Sequence, residues 1–139
     1  MKLIGFNYHK IKAEKLKDAS KETKATTNID ILDMSSLGEA LGKEKGVLKV
    51  DFNYSIKYSP EVANLGFEGN VLLSGTNEEV DKIVEGWKSK KISQSVKATI
   101  FNIILRKANV RAIELEDELN LPLHVSMPQV RVKVEPKKE

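Results

Sequence analysis

His9 and His124 are the only imidazoles in the chain, so any acid–base chemistry near neutral pH has to start from them. His9 sits in a lysine-flanked run and His124 lies between Leu123 and Val125. Neither has a partner at a ligand or catalytic spacing, and both read as ordinary structural or exposed histidines. Cysteine is absent, which removes disulfides, thiolate nucleophiles and cysteine-ligated zinc together. Glu114, Glu116, Asp117 and Glu118 crowd near one helix end, where they point in several directions and read as a solvated acidic surface rather than a paired acid and base. Gly42-Lys43 invites comparison with a phosphate loop, but Gly38 lies one residue too near, Glu44 takes the hydroxyl position and no strand precedes it. G-x-G-x-x-G and G-x-S-x-G are also missing, so no catalytic residue, cofactor or metal is expected. An enzyme would have to gather lysines and carboxylates from scattered positions.

The chemistry that remains is apolar contact. Phe52, Tyr54, Tyr58, Trp87, Leu123 and Met127 are the candidates for holding a polypeptide, with Trp87 and Met127 at junctions where a groove would open. The same side chains could instead fill the core. Lys10, Lys12, Lys15, Lys17, Lys88, Lys90 and Lys91 are the alternative candidates, for nucleic-acid phosphates. Acidic residues are interspersed almost everywhere, so a solvated helix end is the simpler account of the Lys88–Lys91 group.

Hydrophobic periodicity supplies the elements that would position these residues. Leu3, Ile4, Phe6, Tyr8, Ile11 and Ala13 predict a strand over 2–13 with a bulge near His9, and a polar stretch over 16–26 precedes a second strand over 27–34. Residues 47–58 alternate most clearly: Val50, Phe52, Tyr54, Ile56 and Tyr58 fall on one face, with Lys49, Asp51, Asn53, Ser55 and Lys57 on the other. A Ser59-Pro60 turn, extending through Asn64 and Gly66, leads to a strand over 67–73, and the strands read as an antiparallel meander with one wet face.

Thr76-Asn77-Glu78-Glu79 then has the signature of a helix start, followed by Val80, Ile83, Val84 and Trp87 on one face. A longer helix over 93–119, about 40 Å long, carries Val96, Ile100, Ile103, Ile104, Ala108, Ala112, Leu115 and Leu119 as one stripe. A second row, Phe101, Leu105, Val110 and Ile113, gives it two apolar sides. Either it is a deeply buried central helix or this row belongs to an oligomer interface. Pro122 and Pro128 keep the end extended, where Leu123, Val125, Val130 and Val132 are expected to pack against the body.

At 139 residues, with 40% hydrophobic and 31% charged side chains, the chain has the size and balance of one α+β domain over 1–134 with a charged tail at 135–139. Its net charge of +3 is too small to argue for nucleic acid. No run is long enough to span a bilayer, and the first residues turn polar before a signal-peptide core could form, so a cytoplasmic protein without membrane insertion is expected. The Asn53-Tyr54-Ser55 sequon is accordingly a chance match.

Three stretches together, Leu3-Ile-Gly-Phe-Asn-Tyr-His-Lys-Ile, the hairpin of Phe52-Asn-Tyr-Ser-Ile-Lys-Tyr with Leu65-Gly-Phe-Glu-Gly-Asn-Val, and Leu119-Asn-Leu-Pro-Leu-His-Val-Ser-Met-Pro, lie in an order that resembles the SecB-type export chaperones and their archaeal relatives. The resemblance covers about residues 2–132 and rests on element order. It implies a four-stranded antiparallel sheet with a short and a long helix on one face, assembled into dimers or tetramers. It also implies a non-enzymatic holdase that keeps unfolded or partner polypeptide in apolar grooves. The bacterial family is acidic and docks a translocase motor through acidic sheet positions. Lys49 and Lys57 beside Asp51 depart from that pattern.

Overall fold

The computed structural model describes residues 1–37, 45–126, 128 and 130. In chain order these form β1 (Lys2–Lys15), β2 (Lys24–Ser36), β3 (Lys45–Ser59), β4 (Ala63–Thr76), α1 (Asn77–Lys88) and α2 (Gln94–Glu118). The Gly42-Lys43 comparison, Met127, Val132 and the tail at 135–139 lie outside the described residues.

The four strands make one antiparallel sheet in the order β1-β4-β3-β2, with the helices on one face. β2, β3 and β4 follow as a meander, but β1 does not extend it. It lies at the opposite edge against β4, and the segment 16–23 crosses the end of the sheet to reach β2. That crossing is pinned where the amides of Leu16 and Lys17 both donate to the carbonyl oxygen of Val62, at 2.7 and 3.3 Å. A hydrophobic pattern records which face of a strand is buried and carries no information about which neighbour it pairs with.

β3 and β4 are central, and their alternation is the sharpest. Val50, Phe52, Tyr54, Ile56 and Tyr58 face the same side as Ala63, Leu65, Phe67, Val71 and Leu73, and all are buried. Val80 of α1 and Ile100, Ile104, Ala108, Ala112 and Leu115 of α2 close this layer. Full burial of each large side chain contributes roughly 2 kcal/mol. β4 starts at Ala63 rather than at Phe67, because Val62 bonds back to Tyr58 at 2.9 Å and turns the chain at once. Asn64 and Gly66, which resemble turn residues, are thereby strand residues.

The bulge expected near His9 is present between Tyr8 and Lys10, and a second lies between Leu3 and Gly5. Facing the first, Gly69 has no room for a side chain: a Cβ there would run into the carbonyl oxygen of Asn7.

Both helices start on hydroxyl caps, with Thr76 accepting from the Glu79 amide at 3.1 Å and Ser93 from the Val96 amide at 3.2 Å. Both also end in the same paired-bond motif around a left-handed residue, Lys90 (φ 58°) after α1 and Asn120 (φ 54°) after α2. Lys91 donates to Gly86 and Leu121 to Glu116, at 2.7 and 2.8 Å. The second motif aims the chain back at the sheet. Leu121 is buried there while Leu123 is 41% exposed and Val130 fully outside, so the expected packing through Leu123 and Val130 is replaced by packing through Leu121 and His124. The segment bends at His124 rather than continuing extended.

Candidate functional site

Phe52, Tyr54 and Tyr58 are closed off from solvent in this arrangement. Phe52 packs against Phe6 with ring centroids 5.3 Å apart, and Tyr54 against Phe67 at 5.9 Å. They form the floor of the core rather than the wall of an open groove. Trp87 and Leu123 are reachable from solvent, on different parts of the molecule.

Trp87 does border a cleft. β2 is an edge strand, and between it and the turn joining α1 to α2 lies a cavity of about 790 Å³. Ile29, Ile31 and Met34 line it from β2, Trp87 and Ile92 from the helix end and the turn, and Phe101 from α2. The indole N–H of Trp87 donates to Asp33 Oδ1 at 3.2 Å, which fixes the ring across the cleft. Lys88, Lys90 and Lys97 also line it, as do Asp30 and Asp33, and the Lys97 ammonium lies 5.6 Å from the Phe101 ring centroid. The cleft thus has apolar and charged walls and runs beside an edge strand of the sheet, the kind of place where an extended polypeptide can add its backbone to a sheet. Periodicity could place Phe101 on a second helix row, but it could not show that this row meets β2.

The rest of the second row divides. Leu105 packs on the core, whereas Val110 is 60% exposed and Ile113 half-buried outside the core cluster. The lysines divide as well. Lys10, Lys12, Lys15 and Lys17 follow β1 and its exit, with Lys12 beside Glu14 and Lys15 beside Asp18, while Lys88 and Lys90 belong to the β2 side. They do not make one contiguous surface for a phosphate backbone.

The acidic cluster near the end of α2 resolves unexpectedly. Glu114, Asp117 and Glu118 are exposed, but Glu116 is wholly buried. Its carboxylate accepts from the Tyr58 hydroxyl, from the His124 backbone N–H at 3.0 Å and from His124 Nδ1 at 2.9 Å. On the far side of the ring, Nε2 is 2.8 Å from Asn109 Oδ1 and 3.1 Å from the Tyr54 hydroxyl, which itself donates to Asn109 Oδ1 at 2.7 Å. Burial, then the negative charge of Glu116 and the neighbouring Tyr8, push the Tyr54 phenol up to about 12, so it stays a neutral donor. Position 116 follows Ala112 by four residues on the buried stripe, the one signal in the sequence that could have separated Glu116 from its exposed neighbours. Among the described residues, no group of three or more histidines and carboxylates could hold a metal ion.

No family model matches the chain, and no curated protein matches it in sequence. Among solved structures it is similar to the Rv1957 SecB-like chaperone of Mycobacterium tuberculosis, solved in complex with a ChAD peptide from the Rv1956 HigA1 antitoxin. That likeness has a TM-score of 0.55 at 11% identity and spans 92% of this chain and 89% of the other, which shows a SecB-like fold.

Proposed function

We propose that this chain is a non-enzymatic, SecB-like holdase or protein-binding module that keeps extended polypeptide in the cleft between β2 and the α1–α2 turn. The observation that carries the proposal is the joining of a cleft, with Ile29, Ile31, Trp87 and Phe101 among its walls, to an edge strand of the sheet. The peptide held by the SecB-like chaperone of the same fold supports the same reading. Of the residues expected to hold polypeptide, Trp87 keeps that role and Phe101 joins it. Phe52, Tyr54 and Tyr58 support the cleft from the core. Leu123 and Met127 remain proposed contacts beyond it.

The occupant is an unfolded segment with large apolar side chains, and the lining lysines favour acidic residues beside them. Trp87 is the only tryptophan, so its emission reports occupancy directly. Titration with an unfolded, apolar-rich peptide is expected to shift that emission, and the intact protein to suppress client aggregation at equimolar ratio. Phe101→Asp, outside the core cluster, should keep the far-UV circular dichroism and weaken binding at least about tenfold, or about 1.4 kcal/mol. An unmoved Trp87 signal together with unchecked aggregation would sink the proposal.

A further inference from the structure

Beyond Leu121, every hydrogen bond that ties the described part of segment 122–126 to the body runs through His124. The side chains of His124 and Glu116 are 1% and 0% exposed, and among the described residues no lysine or arginine is ion-paired with Glu116. Among the described residues the imidazole is therefore the only group in contact that can balance the buried carboxylate.

The ring meets oxygen atoms on both sides. Nδ1 faces both carboxylate oxygens of Glu116, each at 2.9 Å. Nε2 faces Asn109 Oδ1, and the Tyr54 hydrogen is already given to that same oxygen. Both ring nitrogens thus look onto acceptors, an environment complete only when both carry hydrogen. If Nε2 loses its proton, the Tyr54 hydroxyl can turn to donate to it across 3.1 Å, but Asn109 Oδ1 is then left without either donor and Glu116 without a counter-charge. The other titratable groups facing the pair are the phenols of Tyr58 and Tyr54 from β3, with Tyr8 of β1 behind Tyr54. Lys21 and Asp117 line the hollow on the solvent side of Glu116.

We infer that His124 and Glu116 form a proton-dependent clasp, which holds segment 122–126 closed over the sheet when the imidazole is charged and releases it when the proton leaves. Release opens a path to the Tyr54 and Tyr58 hydroxyls, the buried polar ends of the sheet aromatics. Neither His124 nor Glu116 lines the cleft between β2 and the α1–α2 turn, so the clasp stands on observations separate from the proposed function.

Hydrogen exchange of the intact protein tests it at about pH 6 and about pH 8, on either side of the usual histidine range. After correction for intrinsic rates, protection of the His124 amide is expected to fall about tenfold or more between the two, while β3 amides hold theirs. Glu116→Gln should leave the segment weakly protected at both pH values, and His124→Gln should abolish the pH dependence. Should either variant fail to fold, nitrogen-15 shifts of the wild-type ring still decide the matter: the closed form must be protonated at both nitrogens. A singly protonated ring in the closed form, equal protection at both pH values, or an unchanged profile in Glu116→Gln would overturn the clasp.

Discussion

Tyr58 and Glu116 explain one another. A phenol at the end of a buried strand face needs an acceptor, and a glutamate on a buried helix stripe needs donors, so each makes the other's burial tolerable. Removing only the hydroxyl group tests that exchange. Tyr58→Phe is expected to cost about 2 kcal/mol, the scale of a buried hydrogen bond to a charged group, measured as a lower urea midpoint at unchanged slope. At this scale the sequence was legible where a residue's own type set its environment. Trp87 stands at the junction of α1 with the turn that follows it, and the His124 side chain is buried against polar partners. It misled where identity and position conflicted: Glu116 has three acidic neighbours in sequence, yet its place four residues after Ala112 puts it inside. The Tyr54–Asn109–His124 contacts were illegible, because they join β3, the middle of α2 and the segment beyond it.

The elements were legible in proportion to how strictly their environments alternate. β3 has a buried layer on one face and a polar one on the other, and its pattern locates it within a few residues. β4 was shortened because Asn64 and Gly66 resemble turn residues, while pairing on both sides overrides that local preference. Both helix starts followed from their capping residues. The paired-bond ends, with Lys90 and Asn120 in left-handed geometry, were not anticipated. Gly69 is the element-scale test, since the β1 bulge brings the Asn7 carbonyl against it. Gly69→Ala is expected to destabilise by about 3 kcal/mol, seen as a fall in thermal midpoint, whereas Gly66→Ala, with open space around it, should be close to neutral. Equal effects at the two sites would remove the close approach as the cause.

For the whole molecule, the apolar side chains left uncovered on α2 are the informative ones. Val110, with Ile113 half-covered nearby, is proposed to meet a second copy of the chain, as the second apolar row implied. Light scattering on the intact protein is expected to give a dimer or tetramer, and Val110→Asp to return it to monomer; a wild-type monomer would end that proposal. What periodicity left open at this scale is partnership, because a row of apolar residues records that something covers it and not what. The separation of β1 from β2 bears on how the chain comes to be folded at all. Asn7 meets Asn70 across a gap of 63 residues, whereas β2, β3 and β4 are joined by short local connections. Loop-closure entropy makes the three-stranded meander the early structure and β1 the late addition. During synthesis β1 leaves the ribosome before the other three strands and waits longest for its partner, so a chain proposed to shelter the unpaired strands of others carries one of its own until β4 arrives.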